Sequence, residues 1–355
     1  MNNEKTLENT EPAGKTKPVN GVCRPAEEAA AGKPCTVSVL CAVFNHEEFL
    51  RGTLDSFLSQ KTDFPFEVLV NDDASTDATA AILREYAEKY PEIIRPFYQQ
   101  ENLYSRRKNV YDLVFFPAAR GKYIAVCEGD DYWNDPEKLQ RQVDWLEGHP
   151  EYSACVHNSF GRFSDQPDRV LFPQEGDRDI PFELVITGMS HAYHTSSILA
   201  RRENILNPPD YRNVAYEQGY FTDYAIGVRL SLEGKVRFLD RCMSVYRIGS
   251  NPSAWSKGVG QEYFKLKRFV SGEIAMLKTL EGHDLTQEQR KATDRVILER
   301  EYELLYLEGR VDEMVKPPYD EIHRSMGTGR IVTTQLKRLF PRLHRLYRKR
   351  KGYGD

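Results

Sequence analysis

Tyr123-Ile124-Ala125-Val126-Cys127-Glu128-Gly129-Asp130-Asp131 decides how this chain is read. An apolar run passes straight into three carboxylates within four positions, and the aromatics Tyr132 and Trp133 follow at once. Carboxylates this close repel one another, so keeping them ionised at the end of a buried strand calls for a cation or for several hydrogen-bond donors. Hard oxygen ligands in that setting suit Mg2+ or Mn2+ better than zinc. The same residues also read as a solvated acidic turn that opens a helix, with Asp135 as cap and Pro136 as first helical residue. From this stretch alone the two readings stand level.

A second acidic strand end tips the balance. Glu67-Val68-Leu69-Val70 is another short apolar run, and it ends in Asn71-Asp72-Asp73-Ala74-Ser75-Thr76-Asp77. In an open α/β sheet ligands sit beyond the carboxyl ends of the strands, so two polar strand ends define one crevice. Capping of the next helix accounts for Ser75 to Asp77 but leaves Asp72 and Asp73 without a structural reason.

Outward from these ends the pattern alternates. Apolar runs at 37–44, 66–70, 93–98 and 123–127 are interleaved with helical stretches at 47–60, up to Tyr90, 106–116 and 136–146. Short apolar strands between amphipathic helices predict an α/β domain with a Rossmann-like, mostly parallel central sheet and helices on both faces. After His149 the regularity loosens: 153–157 reads as a further strand, 165–179 as a polar loop, and antiparallel additions or a lid fit the rest. Residues 261–313 read as two helices around a break at Gly282-His283-Asp284. The last segment sets Leu336, Leu339, Phe340, Leu343, Leu346 and Tyr347 on one stripe among eight Lys and Arg residues. Such a basic amphipathic helix suits an anionic membrane surface, or else packs on the globule with its charges in water. Residues 1–34 are rich in Glu, Lys, Pro, Ala and Gly and poor in large apolar groups, and read as a disordered tail. The expected organisation is therefore a tail at 1–34, an α/β domain at 35–257, and a C-terminal helical extension at 258–355.

Composition narrows the class. Fifty-three acidic against 49 basic residues give a formal net charge of −4, so no global field points to nucleic acid. The six cysteines show no paired metal spacing, and Cys41, Cys127 and Cys155 sit in apolar runs where a thiol packs as a small hydrophobe, which is simplest in a reducing cytosol. No run reaches the ~18 apolar residues of a membrane span, and the polar start has no signal-type apolar core. The expected location is cytoplasmic, peripheral at the inner face of a membrane. Gly14-Lys15-Thr16 follows no strand and lacks the leading glycine of a phosphate loop.

The two acidic ends, in this order, resemble the family 2 glycosyltransferases of GT-A fold, of the bacterial surface-polysaccharide type. Val39-Leu40-Cys41-Ala42-Val43-Phe44-Asn45 looks like the family's first strand, and Asn71 to Asp77 looks like its second acidic element. The resemblance implies that Phe44, Asn45, Asp72 and Asp73 hold the base and ribose of a nucleotide sugar, a UDP-sugar foremost. Asn102 and Lys108 stand where the family has a spaced Asn and an Arg; a lysine keeps the charge and loses the bidentate fork. Glu128-Gly129-Asp130-Asp131 matches the acidic metal motif, so Glu128 falls to the donor and Asp130 and Asp131 to Mg2+ or Mn2+. His194-Thr195-Ser196-Ser197 resembles an acceptor-side segment, and Asp223 stands where an acidic residue serves as general base. Tyr246-Arg247-Ile248-Gly249 matches a Tyr-Arg-x-His element with Gly in place of His.

The activity this resemblance implies is an inverting transfer of a sugar from a nucleotide-diphosphate sugar to a hydroxyl of a glycan or lipid-linked acceptor. His194, Thr195 and Trp255 are the acceptor contacts; Trp133 and Tyr193 read more readily as core. Without the resemblance, Asp223 reads equally as an acid at a helix start, favoured by the helix dipole. Three rival classes compete with the transferase. A dehydrogenase lacks its glycine fingerprint, since Phe44-Asn45-His46-Glu47 follows the first strand. A metal-dependent phosphohydrolase would use the same carboxylates, and a non-catalytic membrane-associated assembly factor would use the basic end.

Overall fold

The structure, a computed structural model, describes residues 34–164, 166–173, 176–206, 222–249 and 263–327. The expected tail up to residue 33, Trp255, the boundary at 257/258 and the basic stripe at 336–347 lie outside the described residues.

Among these residues the strands are β1 Val37–Val43, β2 Phe66–Asp72, β3 Ile94–Tyr98, β4 Tyr123–Val126, β5 Tyr132–Trp133, β6 Tyr152–Phe163, β7 Arg169–Val170, β8 Arg178–Ile180, β9 Leu199–Arg201 and β10 Lys235–Ile248. They form one sheet in the order β3-β2-β1-β4-β9-β6-β10-β5, with β7 on β6 and β8 on β10. The first four are mutually parallel. Strand β9 runs antiparallel to both β4 and β6, and β6 runs parallel to β10. The three-residue β9 thus joins the parallel block β3-β2-β1-β4 to the parallel pair β6-β10, on which β5, β7 and β8 pair antiparallel.

Burial on both faces explains the apolar runs. Val37, Val39, Cys41 and Val43 of β1 join a core with Leu50, Leu54 and Phe57 of the helix Leu50–Leu58, whereas Leu40 joins the opposite core. That second core holds Val228 and Leu230 of the helix Thr222–Glu233, and Met276, Leu277, Val296 and Ile297 of the C-terminal helices Tyr263–Thr279 and Gln287–Glu308. Helices therefore cover both faces. The last helix starts with a capping box between Thr286 and Gln289 and ends at Gly309, whose φ of 74° is a left-handed stop.

At the amino end of the sheet Glu67, fully buried in β2, accepts from Ser38 Oγ at 2.7 Å, Arg95 Nη1 at 2.7 Å and Arg120 Nη2 at 2.6 Å. Burial alone would raise its pKa, but the bonds from Arg120, Ser38 and Arg95 outweigh that and hold it below the usual range. A buried carboxylate so satisfied fixes β1, β2 and the approach to β4 relative to one another.

Three segments depart from the sequence expectations. The helix expected over 106–116 is confined to a π-turn at Tyr111–Phe115 and a short continuation to Ala118. Asn102 Oδ1 accepts from the Ser105 amide at 2.6 Å, Asn109 Oδ1 accepts from the Tyr111 amide at 3.0 Å, and Arg107 is left-handed at φ 58°. Side chains that compete for backbone amides hold this stretch in turns. The region 165–179 carries β7 and the start of β8 rather than loop alone. Strand β10 was not expected, since register shifts near Leu239 and Cys242 break its alternation.

Candidate active site

Strand β1 gathers the site. Its Val43 pairs with Asp72 of β2, and its Leu40 pairs with Val126 of β4. Beyond the strands the Asp73 amide donates to Val43 O at 2.9 Å and the Gly129 amide to Ala42 O at 3.0 Å. Both acidic ends therefore hang from the end of one strand, a placement that follows from parallel pairing and not from chance exposure.

On the β2 side, Asn45 adopts φ 53° and its Oδ1 accepts from the Thr76 amide at 2.8 Å, while its own amide donates to Ser75 Oγ at 2.9 Å. Asp72 Oδ1 accepts from the Ser75 amide at 3.2 Å. Asp73 turns both oxygens to the next loop, accepting from the amides of Leu103 at 2.7 Å and Tyr104 at 3.1 Å. Burial, then Asp72, still raises its pKa against those bonds. Asn102 Nδ2 donates back to Asp73 O at 2.9 Å. Phe44 is half-buried at the same end. Lys108 stands apart: it is exposed and its ammonium is paired with Glu101 at 3.0 Å.

On the β4 side, the acidic turn is tied down at several points. Thr53 Oγ1 lies 2.9 Å from Gly129 O and 2.6 Å from Asp131 O. Arg247 donates its amide to Asp131 Oδ1 at 3.0 Å and its guanidinium to Asp130 O at 2.5 Å, and that guanidinium lies 4.6 Å from the Tyr132 ring centroid. His46 Nε2 is 3.9 Å from Asp130 Oδ2. Asp131 is buried and faces His194 Nδ1 at 3.9 Å.

The third contribution comes from the turn just before β9 and from the helix Thr222–Glu233 after it. His194 opens the turn Thr195–Ser197 and stacks on Tyr246 at 4.1 Å. Thr195 Oγ1 donates to Asp223 Oδ2 at 3.3 Å, and the Tyr224 amide donates to Asp223 Oδ1 at 2.7 Å. Asp223 sits in the first turn of its helix, as a dipole-favoured acid would.

Electrostatics bind these parts into one site. Glu128 is exposed as a residue, yet its carboxyl is raised to about 8, first by loss of water and then by the charges of Asp130 and Asp223. Asp131 is raised well above its ordinary value by burial and by Asp130, against the Arg247 amide. Asp223 is raised by burial, which exceeds what Tyr224 and Thr195 give back. Burial lowers the His194 imidazole to about 4. Crowded acids with so little compensation favour a bound cation. Among the described residues, though, no three His, Cys, Asp or Glu side chains gather closely enough to hold a metal by themselves. The donor set fits Mg2+ or Mn2+ only as ions that keep water and take oxygen from a substrate. At the family's His position, Gly249 has φ 70°, and among the described residues nothing lies within 4 Å of where a Cβ would stand.

Trp133 and Tyr193 are core residues, and His157 is fully buried. Sequence reasoning overlooked Thr53 and His46 and gave Arg247 no role of its own. Thr53 carries no signal, being one polar residue on a helix, whereas His46 follows Asn45 directly and proximity in sequence would have flagged it.

Residues 38–201 match the family model described as Glycosyl transferase family 2. The Mycobacterium tuberculosis protein Rv1520, itself uncharacterized, is 37% identical over 212 residues, 59% of this chain and 58% of that protein's length. Thus the chain spans less than two thirds of that relative. In fold, the structure is similar to Staphylococcus aureus TarS residues 1–349 in complex with UDP-GlcNAc, with a TM-score of 0.55, 17% identity and coverage of 81% of this chain and 78% of that one. It is also similar to the mannosyltransferase PcManGT from Pyrobaculum calidifontis in complex with GDP-Man and Mn2+, with a TM-score of 0.51, 16% identity and coverage of 95% and 88%. The fold is that of the GT-A glycosyltransferases. Residues 38–201 thus form a glycosyl transferase family 2 domain. Among the described residues no helix is long and apolar enough to cross a membrane.

Proposed function

We propose that this protein transfers a sugar from a nucleotide-diphosphate sugar to a hydroxyl of a glycan or lipid-linked acceptor, with inversion, in the synthesis of a cell-surface polysaccharide. The observation that carries this reading is the turn at His194 and Thr195: His194 Nδ1 lies 3.9 Å from Asp131 Oδ2 and Thr195 Oγ1 donates to Asp223 Oδ2 at 3.3 Å, which brings a donor-side acid turn and an acceptor-side carboxylate to one cleft. The complexes of TarS with UDP-GlcNAc and of PcManGT with GDP-Man support a nucleotide-sugar donor here, and a UDP-sugar is the one we favour.

In this reading Phe44, Asn45, Asp72 and Asp73 hold the base and ribose, with Asn102 holding the loop that closes over them and Lys108 a charge at its rim. Glu128 lies against the donor. Asp130 and Asp131 would hold Mg2+ or Mn2+, which when bound offsets the negative charge that grows on a departing diphosphate. Asp223 accepts the proton of the attacking hydroxyl, and its raised pKa makes it a stronger base than an ordinary carboxylate. Thr195 and the Tyr224 amide fix the direction of its lone pairs. Attack from the face opposite the leaving group inverts the anomeric centre. His194 and Thr195 face the acceptor, and Trp255 would be a further contact to it. The basic segment at 336–351 would hold the protein at the inner face of an anionic membrane.

The deciding experiment incubates the protein with UDP-, GDP- and dTDP-sugars, Mn2+ or Mg2+, and glycan acceptors. Release of nucleoside diphosphate only with acceptor present supports transfer, and phosphate release without acceptor establishes a phosphohydrolase instead. Absence of metal-dependent nucleotide binding in the wild type, or its survival in Asp130→Ala, removes the proposed donor site and leaves the assembly-factor reading.

A further inference from the structure

Lys138 is a fully buried ammonium for which no ion pair is seen among the described residues. It is the first residue of the helix Lys138–Glu147 and lies behind the acidic turn, outside the cleft. Its Nζ donates to Gln142 Oε1 at 2.7 Å and sits 4.2 Å from the centroid of the Trp133 ring. A charge or an amine kept from water without a carboxylate is costly, and an apolar side chain of similar length would serve stability as well or better.

Its partners show what the cost secures. Gln142 is buried too, and its Nε2 donates to Cys155 O at 2.6 Å and to Ser197 O at 2.9 Å. Trp133, two residues after the acidic turn, donates its indole N–H to Ser196 O at 3.0 Å. Two consecutive carbonyls of the turn Thr195–Ser197 are thus held by two side chains, and both side chains meet at Lys138. With Oε1 bound to the ammonium, the Gln142 amide has one orientation, its NH2 toward the carbonyls. The turn so held supplies Thr195, which is bonded to Asp223, and Ser196, whose Oγ donates on to Ser244 Oγ at 2.9 Å.

We propose that Lys138 is a positioning residue: through Trp133 and Gln142 it sets the turn carrying Thr195 against the acidic turn, and so aligns Asp223 with the donor. This rests on the transferase reading above, and it assigns to the protein interior a part of the acceptor-side geometry. The role is distinct from support of the fold, because it predicts a variant that folds at least as well and transfers poorly.

Lys138→Met keeps the length and removes the amine. Four quantities are compared with the wild type: the melting temperature, the calorimetric affinity for UDP with Mn2+, the rate of transfer from UDP-glucose, UDP-GlcNAc or UDP-galactose to monosaccharide acceptors, and the 15N–1H indole resonance of Trp133, assigned with Trp133→Phe. The expected result is an equal or higher melting temperature, unchanged UDP affinity, a displaced indole resonance, and transfer slower by about tenfold or more with a raised acceptor KM. Gln142→Leu is expected to give the same split. An unmoved indole signal with unchanged transfer overturns the proposal, as does a fall in melting temperature with UDP affinity and transfer lost together. A wild type that neither binds UDP nor uses any UDP-sugar defeats the transferase reading, while the indole comparison still decides whether Lys138 holds Trp133.

Discussion

Gly129 lies so close to Val43 that a Cβ built on it would stand 2.3 Å from the valine Cγ1, and 2.8 Å from His46 Nδ1. The acidic turn can reach the end of β1 only without a side chain at this position. Gly129→Ala should therefore lift the turn away from Val43 at a cost of about 1–3 kcal/mol. Urea denaturation measures the loss, and calorimetry with UDP and Mn2+ should show weakened binding as Asp130 is displaced; an alanine variant with both unchanged would contradict the close contact.

Asp223 makes two hydrogen bonds that orient it and none that removes its basicity. Asp223→Asn keeps the shape and should lower turnover by about 10²–10⁴-fold while nucleotide affinity stays. NMR of the product should show an inverted anomeric centre in the wild type. Retention of configuration would take the base role away from Asp223.

Glu67 links acid stability to one buried carboxylate. Its folded pKa lies below the unfolded value of ~4.3, so its contribution is complete above that value and is lost as pH falls through the folded pKa. Glu67→Gln strands Arg95 and Arg120 and should cost about 3–5 kcal/mol at neutral pH. Denaturation curves at pH 7 and pH 3 should converge for the two proteins at the acid end.

Lys138 gives a slope of the same sign, but its charge costs stability instead of adding to it. Burial lowers its pKa to about 7, while the unfolded chain keeps that proton to ~10.4. Between these values the unfolded state binds more protons, so stability rises with pH by up to ~1.4 kcal/mol per unit for this group. The rise should be present in the wild type and absent in Lys138→Met, read as the difference between their denaturation free energies from pH 6 to pH 10.

The parallel block was legible because strands covered on both faces are largely apolar, and β1, β2 and β4 each carry such a run into polar ends, with Ser38 and Glu67 the buried exceptions. Asp72, Asp73, Asp130 and Asp131 stood out for the converse reason, being acids where apolar pairing stops. Strand β10 was hidden by Asp240 and Arg241, which sit at its irregular register and break the alternation. The stretch 106–116 was expected to be one helix, yet Asn102 and Asn109 take backbone amides at Ser105 and Tyr111 and hold its first part in turns. Lys138 fell within the helix expected over 136–146 and drew no reading of its own. Its burial depends on Trp133, Gln142 and the carbonyls of a turn nearly sixty residues away, and no local pattern carries that.

Strand β9 has a consequence for how such a chain can diversify. In the proposed reading everything that grips the nucleotide is assembled before residue 135, and the residues that face the incoming hydroxyl arise from residue 194 onward, across a seam only three residues wide. Exposed side chains on the far side of the seam can change without touching the pairings of β1 to β4, while Val228, Met276 and Val296 stay in the core those strands share. One ancestral donor pocket can therefore be coupled to many receiving surfaces, provided the few residues that stitch the seam, Trp133 and Gln142 among them, keep their grip.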